Sequence, residues 1–544
     1  MLRKRAKILG VKYKLLLGFI IIVAFLLRFV SLGVNPPSLS WDEVAWGYNA
    51  YSLGLDGRDE FGRFLPLDYL ESFGDFKPPV YAYTDILPIK AFGLNEFSVR
   101  FPSAFFGGLT VILAYFLTKE IFYSSKDKKL YALCASLLLA ISPWHIMLSR
   151  AAFEANVSTF FIVLGVYLFL YSMRRKYWFL TLSFASFIVS LYTFNTARIV
   201  SPLLVLTLLF FFRKQIIQHK KEFFIASIIG AILIIPFAKF APSQAASLRF
   251  KEVNIFSDPG PVETSNLEIK NDNGSLISKF IHNRRLIYSV DYLTHYFDNL
   301  NPSFLFIKGD GNPKFSTQDV GELFLWELPF FIAGLIFLLR RKEGSWWVVP
   351  LWLILGIIPA ATARETPHAL RIETTLPTFQ IITGLGFANF ILNPKFKKFI
   401  IPALFLLIFN LVYFLHGYIF HYPREFSGEW QYGYKDSINY VEKVKENYSG
   451  INITEDLGRP YIYYLFYTKY DPKVFRKEAM VKRDAFGFVE VQSFNKYHFY
   501  KDLGLINDKH SLYIDVPGKV PPSANIVKTF YRLNGEPSLV AYEK

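Results

Sequence analysis

Long apolar runs separated by short polar stretches dominate the first 416 residues of this chain. An α-helix advances about 1.5 Å per residue, so crossing a hydrocarbon core takes roughly 20 such residues. On that measure the pattern predicts eleven membrane spans, near 15–32, 101–122, 130–147, 154–172, 177–194, 198–212, 223–240, 322–340, 345–361, 374–392 and 398–416. The segment from Pro79 to Phe92 is apolar too, but short, and it contains Asp85, Pro88 and Lys90. That composition predicts a helix lying at the membrane surface. Beyond about residue 418 the period changes. Tyr434–Glu446 reads as helix, and Gly450–Glu455, Ser511–Val516, Ile526–Leu533 and Ser538–Glu543 read as strands. The expectation is a polytopic α-helical membrane domain over 1–420 and a small α/β domain over 421–544.

Charge orients the spans. Lys and Arg number 60 against 44 Asp and Glu, a net charge of +16. The excess gathers between alternate apolar runs, at Lys126/Lys128/Lys129, Arg174/Arg175/Lys176, Arg213/Lys214/Lys220/Lys221, Arg340/Arg341/Lys342 and Lys395/Lys397/Lys398. Cytoplasmic loops carry such an excess. With the N-terminus inside and eleven spans, every cluster falls in the cytoplasm. Arg3, Lys4, Arg5 and Lys7 precede a first run too long for a cleaved signal, so it reads as a retained span. The basic residues are thus accounted for by topology, and nucleic acid is not an expected partner. The outer face of a plasma membrane then carries a first loop (33–100), a second loop (241–321), a short loop (362–373) and the C-terminal domain. Cys134 is the only cysteine, which excludes an intramolecular disulfide.

Candidate chemistry concentrates on that outer face. Asp42 and Glu43 follow the first span and open a helix running to about Leu53. Acids in a first turn interact favourably with the helix dipole, the bland explanation; the functional reading makes Asp42 and Glu43 candidate catalytic acids, one of which takes a proton from an attacking hydroxyl. Further on, Pro78 and Pro79 hold Lys77 at the entry to the surface helix, a place suited to a lipid phosphate or to a lysine snorkelling to the headgroups. Asp75 is a second acid, a metal ligand or a partner of Lys77. Glu154 and Asn156 stand at the mouth of an apolar helix, where ionisable groups are costly; Glu154 and Arg150 are also spaced for an i,i+4 pair. Arg364, His368 and Arg371 crowd one short loop like a phosphate clamp, and Arg198 opens another span from the same side. No GxxxxGK[ST], HExxH or paired CxxC pattern occurs, so an activated substrate outside the cell must supply the energy of any reaction.

In order, these residues resemble the GT-C superfamily of membrane glycosyltransferases. The closest branch holds the protein-mannosyltransferase and aminoarabinose-transferase-like enzymes (glycosyltransferase family 39). The resemblance covers about the first 420 residues and rests on Asp42-Glu43, Lys77-Pro78-Pro79, Arg100-Phe101-Pro102-Ser103, Ser149-Arg150, Asp310-Gly311-Asn312-Pro313, Trp326-Glu327-Leu328-Pro329 and His368-Ala369-Leu370-Arg371 with Pro377. It departs where Phe76 separates Asp75 from Lys77, since the aminoarabinose branch tends to place an acid directly before Lys-Pro-Pro. The resemblance implies an inverting transfer of sugar from a polyprenyl-phosphate donor to a hydroxyl or amine of a glycan, lipid or protein. It implies Asp42 as base and Lys77 with Arg371 on the donor phosphate. It further implies a divalent metal as an optional cofactor, with Asp75 and His368 as ligands. A transporter or flippase for lipid-linked saccharides is the alternative, but it calls for internal repeats or mid-membrane charges, which the sequence lacks. A non-catalytic protein recruiting partners through 421–544 is a third reading.

Overall fold

The computed structural model describes residues 2–243, 246–247, 253–483 and 489–544, with side chains from residue 11 onward. The basic residues Arg3, Lys4, Arg5 and Lys7 lie outside the described side chains. A helix covers most of each of the eleven apolar runs. Among the described residues, three helices are long and apolar enough by length and composition to cross a membrane alone: Glu96–Ile121, Glu154–Arg174 and Pro394–Glu425. A fourth candidate is the pair Lys128–Ile141 and Pro143–Arg150, bent by 54°. The bend follows from Pro143, which lacks an amide hydrogen and drives Ser142 out of the helical region to φ −59°, ψ 124°. The helix Val80–Phe92 has 13 residues, too few to cross.

The chain divides into two compact units. The first comprises Met1–Arg28, Phe106–Leu148 and Glu154–Phe414. It is a helical assembly in which Leu328–Arg341 packs on Thr378–Leu392. Here glycine is required by close approach. A Cβ on Gly334 would stand 1.9 Å from the Ile382 carbonyl oxygen, and one on Gly386 1.9 Å from that of Phe330. Backbone-to-backbone packing of this kind is how helices associate where lipid supplies no hydrophobic drive.

The second unit gathers three separated pieces, Phe29–Phe105, Ser149–Phe153 and Leu415–Lys544. Its strands are β1 (Leu70–Ser72), β2 (Asp75–Lys77), β3 (Ile451–Thr454), β4 (Met480–Arg483), β5 (Val489–Phe494), β6 (Tyr497–Tyr500), β7 (Leu512–Asp515), β8 (Asn525–Tyr531) and β9 (Pro537–Glu543). β1 and β2 form a hairpin; the others form one mixed sheet in the order β4-β5-β6-β3-β7-β9-β8. β3 is parallel to both β6 and β7 and is buried along its whole length, as a central parallel strand must be. The helix and four strands expected beyond residue 418 are all present, at Tyr434–Val444, β3, β7, β8 and β9. The sequence reading lacked β4, β5 and β6. The helix Pro460–Tyr467, buried from Pro460 to Phe466, lies between β3 and β4 in the chain.

Candidate functional site

In the second unit, the helix Trp41–Asp56 starts from a capping box, with the Ser40 amide donating to Glu43 Oε2 at 2.9 Å. Glu43 has no solvent exposure. Arg100 Nε donates to its Oε1 at 2.9 Å, Nη2 to its Oε2 at 3.3 Å, and the Ala152 amide to Oε1 at 2.9 Å. Arg100 spends its remaining donors on the carbonyls of Leu32, Pro36 and Ser38. Arg150 donates to the Asn35 carbonyl at 2.9 Å. Two buried guanidinium groups therefore fix the chain entering the helix, and Glu43 anchors one of them.

Asp42, one residue earlier, points the other way. Its side chain is 52% exposed, and its Oδ1 accepts from Lys77 Nζ at 2.5 Å. Lys77 is only 7% exposed, and its ammonium lies 4.8 Å from the Phe73 ring centroid and 5.2 Å from that of Trp46. Two aromatic faces and one carboxylate replace its water, an environment that favours a cation. The hairpin aims it there. Phe73 (φ 62°) and Gly74 (φ 80°) are both left-handed, as a two-residue type I′ turn demands, and the register pairs Lys77 with Leu70 and Asp75 with Ser72. A left-handed Phe costs on the order of 1 kcal/mol, offset here by burial of the ring against Tyr461, 6.0 Å away.

Beneath the hairpin lies a polar cluster that the sequence reading missed. Glu60 is fully buried; Asn49 Nδ2 donates to its Oε2 at 2.9 Å and the Tyr461 hydroxyl to its Oε1 at 3.0 Å. The same Asn49 amide reaches Ser72 Oγ at 3.0 Å. Burial pushes the Glu60 carboxyl up to about 8, against the pull of Tyr461, Lys77 and Asn49. The folded state therefore binds a proton that the unfolded chain releases near 4.5. Stability contributed by that proton is complete below this value and is lost as pH rises toward 8. Glu60→Gln is expected to flatten this slope, with a melting temperature less dependent on pH between 5 and 8 than the wild type's. An unchanged slope would place the ionisation elsewhere. Glu60 escaped notice because it sits in the polar run Asp56-Gly57-Arg58-Asp59-Glu60, which reads as a solvated turn.

In the first unit, the short loop forms a second cluster. Asp310 Oδ2 accepts from the Ala369 amide at 2.6 Å and Oδ1 from the Asn312 amide at 2.8 Å. Burial raises Asp310 to about 6, while these amides and the charge of Arg371 oppose the rise. His368 Nδ1 stands 3.8 Å from Asp310 Oδ2, but burial and the Arg371 charge lower the imidazole to about 3. The contact is thus one between a neutral ring and a carboxyl group, too long for a hydrogen bond. Arg371 itself donates to the Glu365 carbonyl at 2.9 Å. Arg364 is spent on backbone: its Nε donates to the Asn254 carbonyl at 3.2 Å. Arg198 donates to the Leu191 carbonyl at 3.4 Å and lies over Phe237, 5.0 Å from the ring centroid. Asn156 is buried beside His145, while Glu154 is half-buried at the helix start.

The structure thus joins Asp42 with Lys77, and His368 with Asp310 and Arg371. Asp75 belongs to the hairpin of one unit and His368 to the other. His368 and Asp310 offer two donors, whereas a bound zinc or magnesium ion takes four or more ligands, waters included. Among the described residues no group of three or more His, Cys, Asp or Glu side chains is placed to hold a metal.

This architecture, apolar helices with a C-terminal sheet domain, is shared with solved membrane-protein structures. The family described as dolichyl-phosphate-mannose-protein mannosyltransferase matches residues 18–248. ArnT from Cupriavidus metallidurans bound to undecaprenyl phosphate superimposes with a TM-score of 0.55 at 11% identity, over 96% of this chain and 97% of that one. Its apo form gives 0.53 at 11% identity and the same coverage. The Archaeoglobus fulgidus oligosaccharyltransferase in complex with Zn and sulfate gives 0.50 at 13% identity, over 83% of this chain and 61% of that one. An uncharacterized protein of Aquifex aeolicus (strain VF5) is 31% identical over 159 residues, which are 29% of this chain. The chain spans 30% of the length of that relative.

Proposed function

We propose that this protein is a membrane glycosyltransferase that moves a sugar from a polyprenyl-phosphate donor to a hydroxyl or amine on the outer face of the membrane. The observation that carries the reading is the half-exposed Asp42 carboxylate on the buried, aromatic-caged Lys77 ammonium. The match to a mannosyltransferase family over residues 18–248 supports it, and so does a shared fold with an enzyme bound to undecaprenyl phosphate.

The donor phosphate takes Lys77, and Asp42 is left facing the acceptor. The acceptor oxygen or nitrogen attacks the anomeric carbon, and its proton passes to Asp42. The bond from that carbon to the phosphate oxygen breaks, and its electron pair stays on the lipid phosphate. A phosphodiester with one negative charge becomes a monoester with up to two, so the hold of Lys77 tightens as the bond breaks, which is where a cation lowers a barrier. Glu43, enclosed with both oxygens engaged, serves as the anchor of Arg100 and not as a base. Arg371, beside His368 and Asp310, offers a further cation for an anionic substrate. Arg364 and Arg198, tied to carbonyls, hold structure. A divalent ion at His368 and Asp310, with water completing its shell, would add positive charge there, and no step above depends on it.

The test is transfer of labelled sugar from polyprenyl-phosphate donor by the protein in membranes. Lys77→Met is expected to raise KM for the donor and lower kcat, each at least tenfold. Normal kinetics in this variant would sink the phosphate role.

A further inference from the structure

A short strap of the C-terminal region crosses the candidate site, and nothing in the proposed chemistry uses it. Gly458 (φ 78°) and Arg459 (φ 51°) are consecutive left-handed residues before the helix Pro460–Tyr467. Gly458 lies flat on Trp41, the neighbour of Asp42: a Cβ there would come within 3.0 Å of the indole. The Tyr434 hydroxyl holds its carbonyl at 3.3 Å. Three residues after Gly458, Tyr461 reaches Glu60 beneath the hairpin. Between these fixed points the Arg459 guanidinium carbon sits 4.9 Å from the centroid of Phe73, the same ring that carries Lys77 at 4.8 Å.

Two cations thus share one aromatic ring, closer to each other than about 10 Å, the screening length at 0.1 M salt. Lys77 has Asp42 as counterion. Arg459 is half-buried, and the Glu455 carboxylate feels its charge, but among the described residues no carboxylate lies within ion-pair distance of its guanidinium. An arginine kept in a left-handed conformation next to another cation, with no carboxylate in hydrogen-bonding contact among the described residues, leaves a forked set of donors open. Phosphate suits that fork, because guanidinium nitrogens can engage two of its oxygens at once.

We propose that Arg459 is a second phosphate-binding residue, contributed by the C-terminal domain, which grips the lipid-linked phosphate together with Lys77. The inference rests on the donor class proposed above and gives the C-terminal domain a direct part in substrate binding. The strap then does two things at once: Gly458 closes over Trp41, and Arg459 completes the anion site.

The experiment uses full-length protein in nanodiscs and measures binding of undecaprenyl phosphate, with uncharged undecaprenol as control. Arg459→Gln is expected to weaken binding of the phosphate at least tenfold, to leave undecaprenol unchanged, and to keep the wild-type melting temperature. Arg459→Lys, retaining charge without the fork, is expected to fall between. Phosphate binding equal to wild type in Arg459→Gln, with Lys77→Met impaired, would overturn the role of Arg459 and leave the proposed donor class standing. No preference of the wild type for the phosphate over the alcohol would overturn both. Should Arg459→Gln misfold, Arg459→Lys binding as tightly as the wild type would overturn the role of the fork.

Discussion

Asp42→Asn is expected to lower sugar transfer by about 10²–10⁴-fold, the usual contribution of a positioned general base, while leaving the protein folded. The side chain is half exposed and its partner Lys77 is held independently by Phe73 and Trp46, so the amide fits the same space. Only one member of this pair is buried, so losing it should move the melting temperature less than breaking a fully buried pair. The informative comparison is kcat against donor KM. Removing the base should act on kcat, and releasing Lys77 from its carboxylate should hold or lower the donor KM. Transfer within threefold of wild type by well-folded Asp42→Asn protein would remove Asp42 from the chemistry.

Arg100→Met should do the reverse, unfolding the protein more readily without touching the reacting groups. Glu43 and Arg100 are both fully buried, and removing one member of such a pair typically costs about 3–5 kcal/mol, because the other keeps its charge without its partner. The loss would be large here because Arg100 also ties down the carbonyls of Leu32, Pro36 and Ser38. Glu43→Gln should be nearly as damaging. The double variant should cost less than the two single losses together, which is the signature of coupling. Thermal unfolding in detergent reads all three. A shift for Arg100→Met no larger than that for Asp42→Asn would mean that the pair is not the anchor described.

Much of this was legible in the sequence, and the rest was not for identifiable reasons. Apolar runs of about twenty residues announce helices because a bilayer leaves the backbone no other partners. Asp42 stood out as an acid just beyond the first apolar run, and Lys77 as a cation beside two prolines. Their contact did not, since a hairpin turn through Phe73-Gly74 brings them together, and a left-handed Phe is not what a turn pattern leads one to expect. Glu60, Tyr461 and Arg459 were silent because their meaning depends on contacts across 401 residues of chain, as between Glu60 and Tyr461. The strands β5 and β6 are separated by a two-residue connection, Asn495-Lys496, and the aromatic run around them masked the alternation.

The unit that holds Asp42 is stitched from pieces separated by hundreds of residues, and synthesis is sequential. A ribosome adding about 5–20 residues per second needs tens of seconds to go from Phe105 to the strand Pro537–Glu543. For most of that interval the Lys77 hairpin is complete in sequence, yet lacks Tyr461 on Glu60 and the strap on Trp41. The Asp42–Lys77 pair therefore emerges before its cover does. It gains that cover only when the C-terminal segments return to the Lys77 hairpin.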